Sequence, residues 1–370
     1  MHRKKIFRVV FWTCFVLLLD CCIGHFYLQK THRQYYTDLM QKERGNSNRV
    51  SDSMYHHGLV PNTEVLYSWN NSDPYPLYVN SLGLLDKEIR FIPKTTEKHR
   101  ILFLGDSFTE GLGYPYKKTF VGRIAQALGD ENYDVLNGGL MTYSPKLYLE
   151  KTKYIVASQE IQVDEVVILL DLSDIHNEAY KYRNFQPVEN SNIAGATQTI
   201  IRHALWDKLK GASIDNSLLV NSLYTITVRK KEKERMLASL YPYQTDYQAW
   251  TYNNKQFAAY GNIGLSLCKT YLAELVAFLR NHAITNITLV VYPWPQQITY
   301  DTVDCIQATY WQTFATEQNI SFVNLFPQFF SFQQKENLYN SDNHFNERGH
   351  QVVADVLMKT IGATTEATIK

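Results

Sequence analysis

The chain is poor in cysteine, has no surplus of either charge, shows no internal repeat and carries only one long hydrophobic run. Five cysteines stand among 370 residues, and Cys14, Cys21 and Cys22 fall inside that run. The body keeps only Cys268 and Cys305. A disulfide framework therefore has nothing to be built from, and the two thiols either pair, as an exported domain would permit, or stand apart as buried groups. The formal net charge of +1 leaves no long-range field to gather nucleic acid, and no such partner is expected. Without repeats or extended low-complexity segments, solenoid and fibrous architectures are excluded. What remains is an ordinary globular composition, 45% hydrophobic and 20% charged, in a length that suits one large α/β domain with additions, or two domains. Tyrosine is abundant, at 26 residues, and much of it lies outside the expected strands. There it either packs or offers an aromatic face to sugars.

The hydrophobic run occupies residues 9 to 27 and is broken only by Thr13, Asp20, Gly24 and His25. It is long enough to cross a bilayer core of about 30 Å. His2, Arg3, Lys4, Lys5 and Arg8 all precede it, so this end is expected to stay cytoplasmic. A cleaved signal peptide is the alternative, but Asp20-Cys21-Cys22 stands where a small-residue cleavage site would follow. The same aspartate makes Cys21 a poor site for lipid attachment. The expectation is a single-pass membrane anchor over 1–28, with the rest extracytoplasmic, in a periplasm or at a cell surface. Residues 29–75 are polar and irregular and read as a stalk, residues 76–362 as the folded domain, and 363–370 as a tail.

From residue 100 onward, apolar strands alternate with amphipathic helices. Strands are expected over 101–104, 133–136, 165–170, 287–292 and 320–325, and helices over 119–128, 145–157, 265–281, 307–318 and 347–359. Five such units predict an α/β fold with one doubly wound, mostly parallel, five-stranded sheet. Residues 180–261 interrupt the alternation and read as a helical insertion, a lid or partner surface. Its basic run over 229–235 has the pattern of a solvated helix face.

Chemistry concentrates in two segments. Gly105-Asp106-Ser107 ends the first strand in a tight turn with a hydroxyl at its tip, and Asp342, Asn343 and His344 precede the last helix. In an open parallel sheet both segments lie at the carboxyl edge, where ligands bind. A serine hydroxyl needs a base to become a nucleophile, so Ser107 takes that role, His344 the base and Asp342 the group that orients the imidazole. His350 is the competing base, but it sits inside the final helix.

These motifs resemble those of the SGNH (GDSL) hydrolases, a superfamily of esterases, lipases and carbohydrate O-acetyl esterases and transferases. The resemblance covers residues 79 to 357 and includes the lead-in Val79 to Gly83. It implies a flavodoxin-like fold, an acyl-Ser107 intermediate and a carbohydrate or other acyl-ester substrate. It also implies an oxyanion hole of three donors: the Ser107 N–H, a backbone N–H that alignment places at Thr142, and a side chain at Ser173. The family usually has glycine and asparagine at the last two, so the chain departs twice. That leaves open a non-catalytic glycan-binding or assembly protein on the same fold, beside a broad esterase or lipase. Asp342 to His344 is one residue shorter than the family's usual spacing. Asp171, Asp174, His176 and Glu178 lack the spacing of a known metal site, and neither metal nor cofactor is expected. Tyr292 and Trp294, the latter bracketed by Pro293 and Pro295, are the substrate-binding candidates: the tryptophan either stacks on a sugar at the rim or covers the end of the sheet. Oligomeric state has no sequence signal.

Overall fold

The computed structural model describes residues 2–31, 48–69, 74–188, 217–220, 222, 249–332, 337–341 and 343–368. The chain divides into two compact units. Met1–Glu43 with Asn190–Thr245 forms the first. It contains helix α1, His2–Thr31. Within it the Ser217 hydroxyl donates to the Asp20 carboxylate and accepts the Val220 N–H at 3.1 Å.

Arg44–Glu189 with Asp246–Lys370 forms the second unit. Its strands are β1 (Arg49–Asp52), β2 (His56–Leu59), β3 (Thr63–Tyr67), β4 (Tyr75–Val79), β5 (Leu85–Asp86), β6 (His99–Leu104), β7 (Tyr133–Asn137), β8 (Glu165–Leu170), β9 (Asn286–Val291) and β10 (Ser321–Asn324). β1 and β2 form a separate antiparallel hairpin, and the others make one sheet in the order β10-β9-β8-β6-β7-β5-β4-β3. The run from β10 to β7 is parallel throughout. In chain order its five strands read 2-1-3-4-5, the flavodoxin-like arrangement, with the switch point between β6 and β8.

The five expected strands are therefore present, but the sheet has eight. β5, β4 and β3 extend it antiparallel beyond β7, so the five-stranded description is corrected. Residues 49 to 67, expected within an irregular stalk, supply three of the strands. They were hard to read because each is four or five residues long and mixes polar residues such as Arg, Asp, His and Glu with only one or two apolar ones. An edge strand such as β3 also alternates exposed and half-buried positions, which leaves no apolar run. β6 and β8, packed on both faces, are fully apolar over Ile101–Leu104 and Val166–Leu170.

Helices follow the strands: α2 (Ser107–Glu110), α3 (Phe120–Leu128), α4 (Pro145–Lys153), α5 (Asp174–His176), α6 (Asn262–Asn281), α7 (Pro295–Tyr300), α8 (Ile306–Glu317), α9 (Phe326–Phe330) and α10 (Glu347–Thr368). The chain steps one way across the sheet from β6 to β7 and the other way from β7 to β8. Right-handed crossovers then place α3 and α4 on opposite faces. α3 packs with α10, and α4 with α6. Residues 254–281 are long and apolar enough to cross a membrane. They instead bury Leu265, Cys268, Leu272, Leu275 and Leu279 as a core helix of the sheet domain. Of the expected insertion, residues 189–216, 221 and 223–248 lie outside the described residues. Its end belongs to the core: Trp250 is fully buried and donates its indole N–H to the Leu172 carbonyl at 3.0 Å.

A charge cluster braces the amino end of the parallel sheet. Arg100 is fully buried and donates to the Asp134 carboxylate at 2.7 Å and to the Gln162 carbonyl at 2.9 Å. Arg90 meets the other oxygen of Asp134 at 2.8 Å. Removing one partner of such a pair strands the other charge away from water. Asp134→Asn is expected to cost about 3 kcal/mol or more on that account, read as a lowered urea midpoint; an unchanged midpoint would show that Arg100 finds its compensation elsewhere.

Candidate active site

β6 delivers the backbone to Gly105, where a Cβ would stand 2.0 Å from Thr109 Oγ1, so only glycine fits. Asp106 then caps α2, accepting the Phe108 N–H at 2.9 Å, and sets Ser107 at the first helical position. Ser107 Oγ lies 2.9 Å from His344 Nε2 and 3.1 Å from an Asp106 carboxylate oxygen. Residues 237 positions apart in the chain thus meet at the carboxyl edge of the sheet, beside the switch point.

The loop carrying His344 is held by its own backbone. Asn340 N–H donates to the His344 carbonyl at 2.8 Å, and Asn343 turns the chain at φ 74°, a conformation asparagine tolerates. Phe108 packs 4.9 Å from the imidazole and Trp69 meets it edge-on at 5.8 Å. Asp342, expected to orient the imidazole, lies outside the described residues. His350 is not placed to compete. It is buried, accepts the Phe120 N–H at 3.2 Å and so caps α3, while burial holds its ring neutral, down to about 3.

One side chain engages both the expected third oxyanion donor and the two expected substrate-binding residues. Asp171, buried at the end of β8, accepts the Ser173 N–H at 2.7 Å and the Ser173 hydroxyl at 2.5 Å. It also accepts the Tyr292 hydroxyl at 2.8 Å and the Trp294 indole N–H at 2.6 Å. Ser173 therefore does not offer its hydroxyl as an oxyanion donor, and Tyr292 and Trp294 are not a stacking surface for sugar at the rim. Tyr292 is wholly buried and Trp294 only 7% exposed. The reason is the cost of a carboxylate out of water, which draws in each nearby donor. The Tyr292 hydroxyl also lies 3.3 Å from Asp106. Burial, with Asp171 close by, pushes the Asp106 carboxyl well above the usual range.

The neighbouring polar residues separate into other tasks. Asp174 accepts from the Tyr148 hydroxyl at 2.8 Å, and Glu178 from the Ser144 hydroxyl at 2.6 Å. His176 packs against Tyr180 and Tyr260. Cys268 and Cys305 are separate, buried, free thiols; burial pushes the Cys305 thiol up to about 12.

The loop after β7 carries the other expected donor. Leu140 N–H bonds the Gly105 carbonyl at 3.2 Å, tying this loop to the serine turn, and Tyr143 N–H closes a turn on Leu140 at 3.0 Å. Thr142 is the third residue of that turn and takes φ 67°, a conformation rare for a β-branched side chain. Such strain persists only where the surroundings enforce it. Glu110, at the end of α2, accepts the Met141 N–H at 2.6 Å and pairs with Arg49 of β1. His57 of β2 lies with Nε2 3.0 Å from the Met141 carbonyl. Tyr182 donates to the Thr142 carbonyl at 2.8 Å, and its oxygen lies 3.0 Å from Thr142 Oγ1. Sequence pattern pointed to none of Arg49, His57, Trp69 and Tyr182 as part of the site. Glu110 alone gave a local signal, three residues after Ser107 on the same turn of chain.

No protein-family model matches the chain, and no curated protein sequence does. Among solved structures it is similar to an acetylxylan esterase, Axe2, from Geobacillus stearothermophilus, at 15% identity and a TM-score of 0.41, covering 73% of this chain and 97% of that one. It is also similar to a lipase/acylhydrolase from Enterococcus faecalis, at 13% identity and a TM-score of 0.37, covering 72% and 96%.

His350 supplies a pH test of its capping role. Its folded pKa, about 3, lies below the unfolded value near 6.5, so the stability it contributes is complete above pH 6.5 and is lost as pH falls toward 3. His350→Gln keeps an acceptor for the Phe120 N–H but does not titrate. The stability of wild type relative to this variant is expected to fall by about 1.4 kcal/mol per pH unit across that window, measured from paired urea midpoints. A difference independent of pH would mean that the ring is already charged in the folded protein.

Proposed function

We propose that the protein is a serine-dependent acyl-ester enzyme that works through an acyl-Ser107 intermediate on a carbohydrate ester, acetyl being the group most in keeping with the resemblance. The observation that carries this is the 2.9 Å approach of Ser107 Oγ to His344 Nε2. In this mechanism His344 takes the hydroxyl proton as Oγ attacks the ester carbonyl, and the C–O bond to the leaving alcohol breaks as the imidazolium returns that proton to it. Water or a sugar hydroxyl then attacks the acyl-serine by the reverse route. Asp342 remains the proposed orienting acid by its place in the sequence.

The developing oxyanion would be met by two main-chain donors, the N–H groups of Ser107 and Thr142. Thr142 N–H forms no hydrogen bond among the described residues, which supports its being available. With Ser173 engaged by Asp171, the third donor of the family pattern is not part of this proposal. Trp69, half-buried and edge-on to His344, takes the place of Trp294 as the aromatic proposed to contact a sugar.

The membrane anchor belongs to the same proposal. In α1, Phe11, Trp12, Phe15, Leu17 and Leu18 are all exposed, as apolar groups meant for lipid would be. The cations at its amino end argue for a cytoplasmic tip and an extracytoplasmic domain.

Purified full-length wild type is expected to hydrolyse p-nitrophenyl acetate, with Ser107→Ala and His344→Ala each losing at least roughly 10³-fold in kcat. Wild-type turnover no greater than that of Ser107→Ala would overturn the esterase reading in favour of a glycan-binding or assembly role. For orientation, protease added outside sealed spheroplasts should degrade the sheet domain. Its protection under those conditions would reverse the topology.

A further inference from the structure

The turn of the donor loop is held by side chains remote in sequence, His57 from the β1–β2 hairpin among them. The decisive bond is between His57 and the Met141 carbonyl, at 3.0 Å. A carbonyl accepts, so His57 Nε2 carries the proton. His57 Nδ1 is then bare, and it lies 2.9 Å from His56 Nδ1, which donates to it. Burial holds the His57 ring down to about 4, so it stays a single-proton donor in the neutral range. The Tyr143 hydroxyl holds the histidine's own carbonyl at 2.5 Å and its ring packs at 4.8 Å.

The Met141 carbonyl and the Thr142 N–H belong to one peptide unit. In a trans peptide these two groups point in opposite directions, and the unit rotates as a rigid plane. Pinning the carbonyl toward β2 therefore aims the N–H away from β2. Nothing in Thr142 itself prefers this arrangement, since φ 67° is costly for threonine, and a peptide flip would relieve it. Such a flip would exchange a donor for a carbonyl oxygen, which repels an oxyanion.

We propose that His57 is a positioning residue of this enzyme: by holding the Met141 carbonyl it keeps the Thr142 N–H turned to the oxyanion. The proposal rests on the esterase reading of the Ser107 and His344 site. Tyr182 acts on the next peptide, through the Thr142 carbonyl, and Glu110 on the preceding one, through the Met141 N–H. The β1–β2 hairpin and its neighbours thus grip three consecutive peptide units, with His57 on the central one.

The test compares full-length wild type, His57→Leu and His57→Gln on p-nitrophenyl acetate, with Ser107→Ala as the background control and thermal melting run alongside. Glutamine retains an N–H donor of similar reach, and leucine keeps bulk without one. His57→Leu should lose roughly 10²-fold in kcat with KM changed by less than about twofold, because an oxyanion contact matures only in the transition state. His57→Gln should recover most of that loss. Wild-type kcat in His57→Leu would overturn the proposal, and so would equal losses in both variants accompanied by equal falls in melting temperature. Should His57→Leu not fold, Tyr182→Phe gives the reading instead: roughly tenfold lower kcat at unchanged KM supports a gripped loop, and unchanged kcat overturns it. Wild-type activity no higher than that of Ser107→Ala would instead remove the esterase reading on which the proposal stands.

Discussion

The carboxyl edge of this sheet is organised around one buried carboxylate. Asp171 ends β8 without access to water, and its two oxygens take four donors from two stretches of chain. Ser173 comes from its own loop, Tyr292 and Trp294 from the end of β9. The Tyr292 hydroxyl also reaches toward Asp106, at the end of β6. Three strand ends are thereby tied beneath Ser107, because an uncompensated charge there would cost several kcal/mol. The rigidity of the serine turn follows from that requirement. So does the loss of Ser173 and Trp294 from the roles their positions suggested.

A second constraint acts on the other side of the serine. The donor loop after β7 takes a backbone conformation that its threonine disfavours, and the neighbouring elements hold it by its main-chain groups. Packing alone would not select one peptide orientation over its flip, since the two occupy similar volumes. Directional bonds from His57, Tyr182 and Glu110 do select it. The β1–β2 hairpin is thus more than an ornament beside the sheet. It brings Arg49 to Glu110 and His57 to Met141.

Much of this was legible from residues alone. The buried strands β6, β8 and β9 announce themselves as apolar runs, and the crossover helices between them by periodicity, because both signals are local. Gly105, Ser107 and His344 could be paired because parallel α/β topology sends every strand end to the same edge. The extension was not legible: strands of two to five residues, one of only two residues, one interrupted by proline and one alternating exposed with half-buried positions, have the pattern of a loop. Whether Trp294 faces a sugar or covers the sheet end stayed open, since sequence shows that a side chain has a polar tip and not which partner the tip meets.

The sequence by itself determined the class of the fold, the order of its parallel core and the meeting of a serine with a histidine, all of which follow from short-range pattern and handed connection. Tertiary structure alone decided which hydroxyls and N–H groups remain open to a substrate. A donor's availability depends on whether some other buried acceptor has already taken it, and the acceptor here, Asp171, competes across 121 residues for Tyr292 and 123 for Trp294. The aim of a backbone N–H is likewise set by whatever holds the far end of its peptide. In this chain that is a histidine 84 residues away.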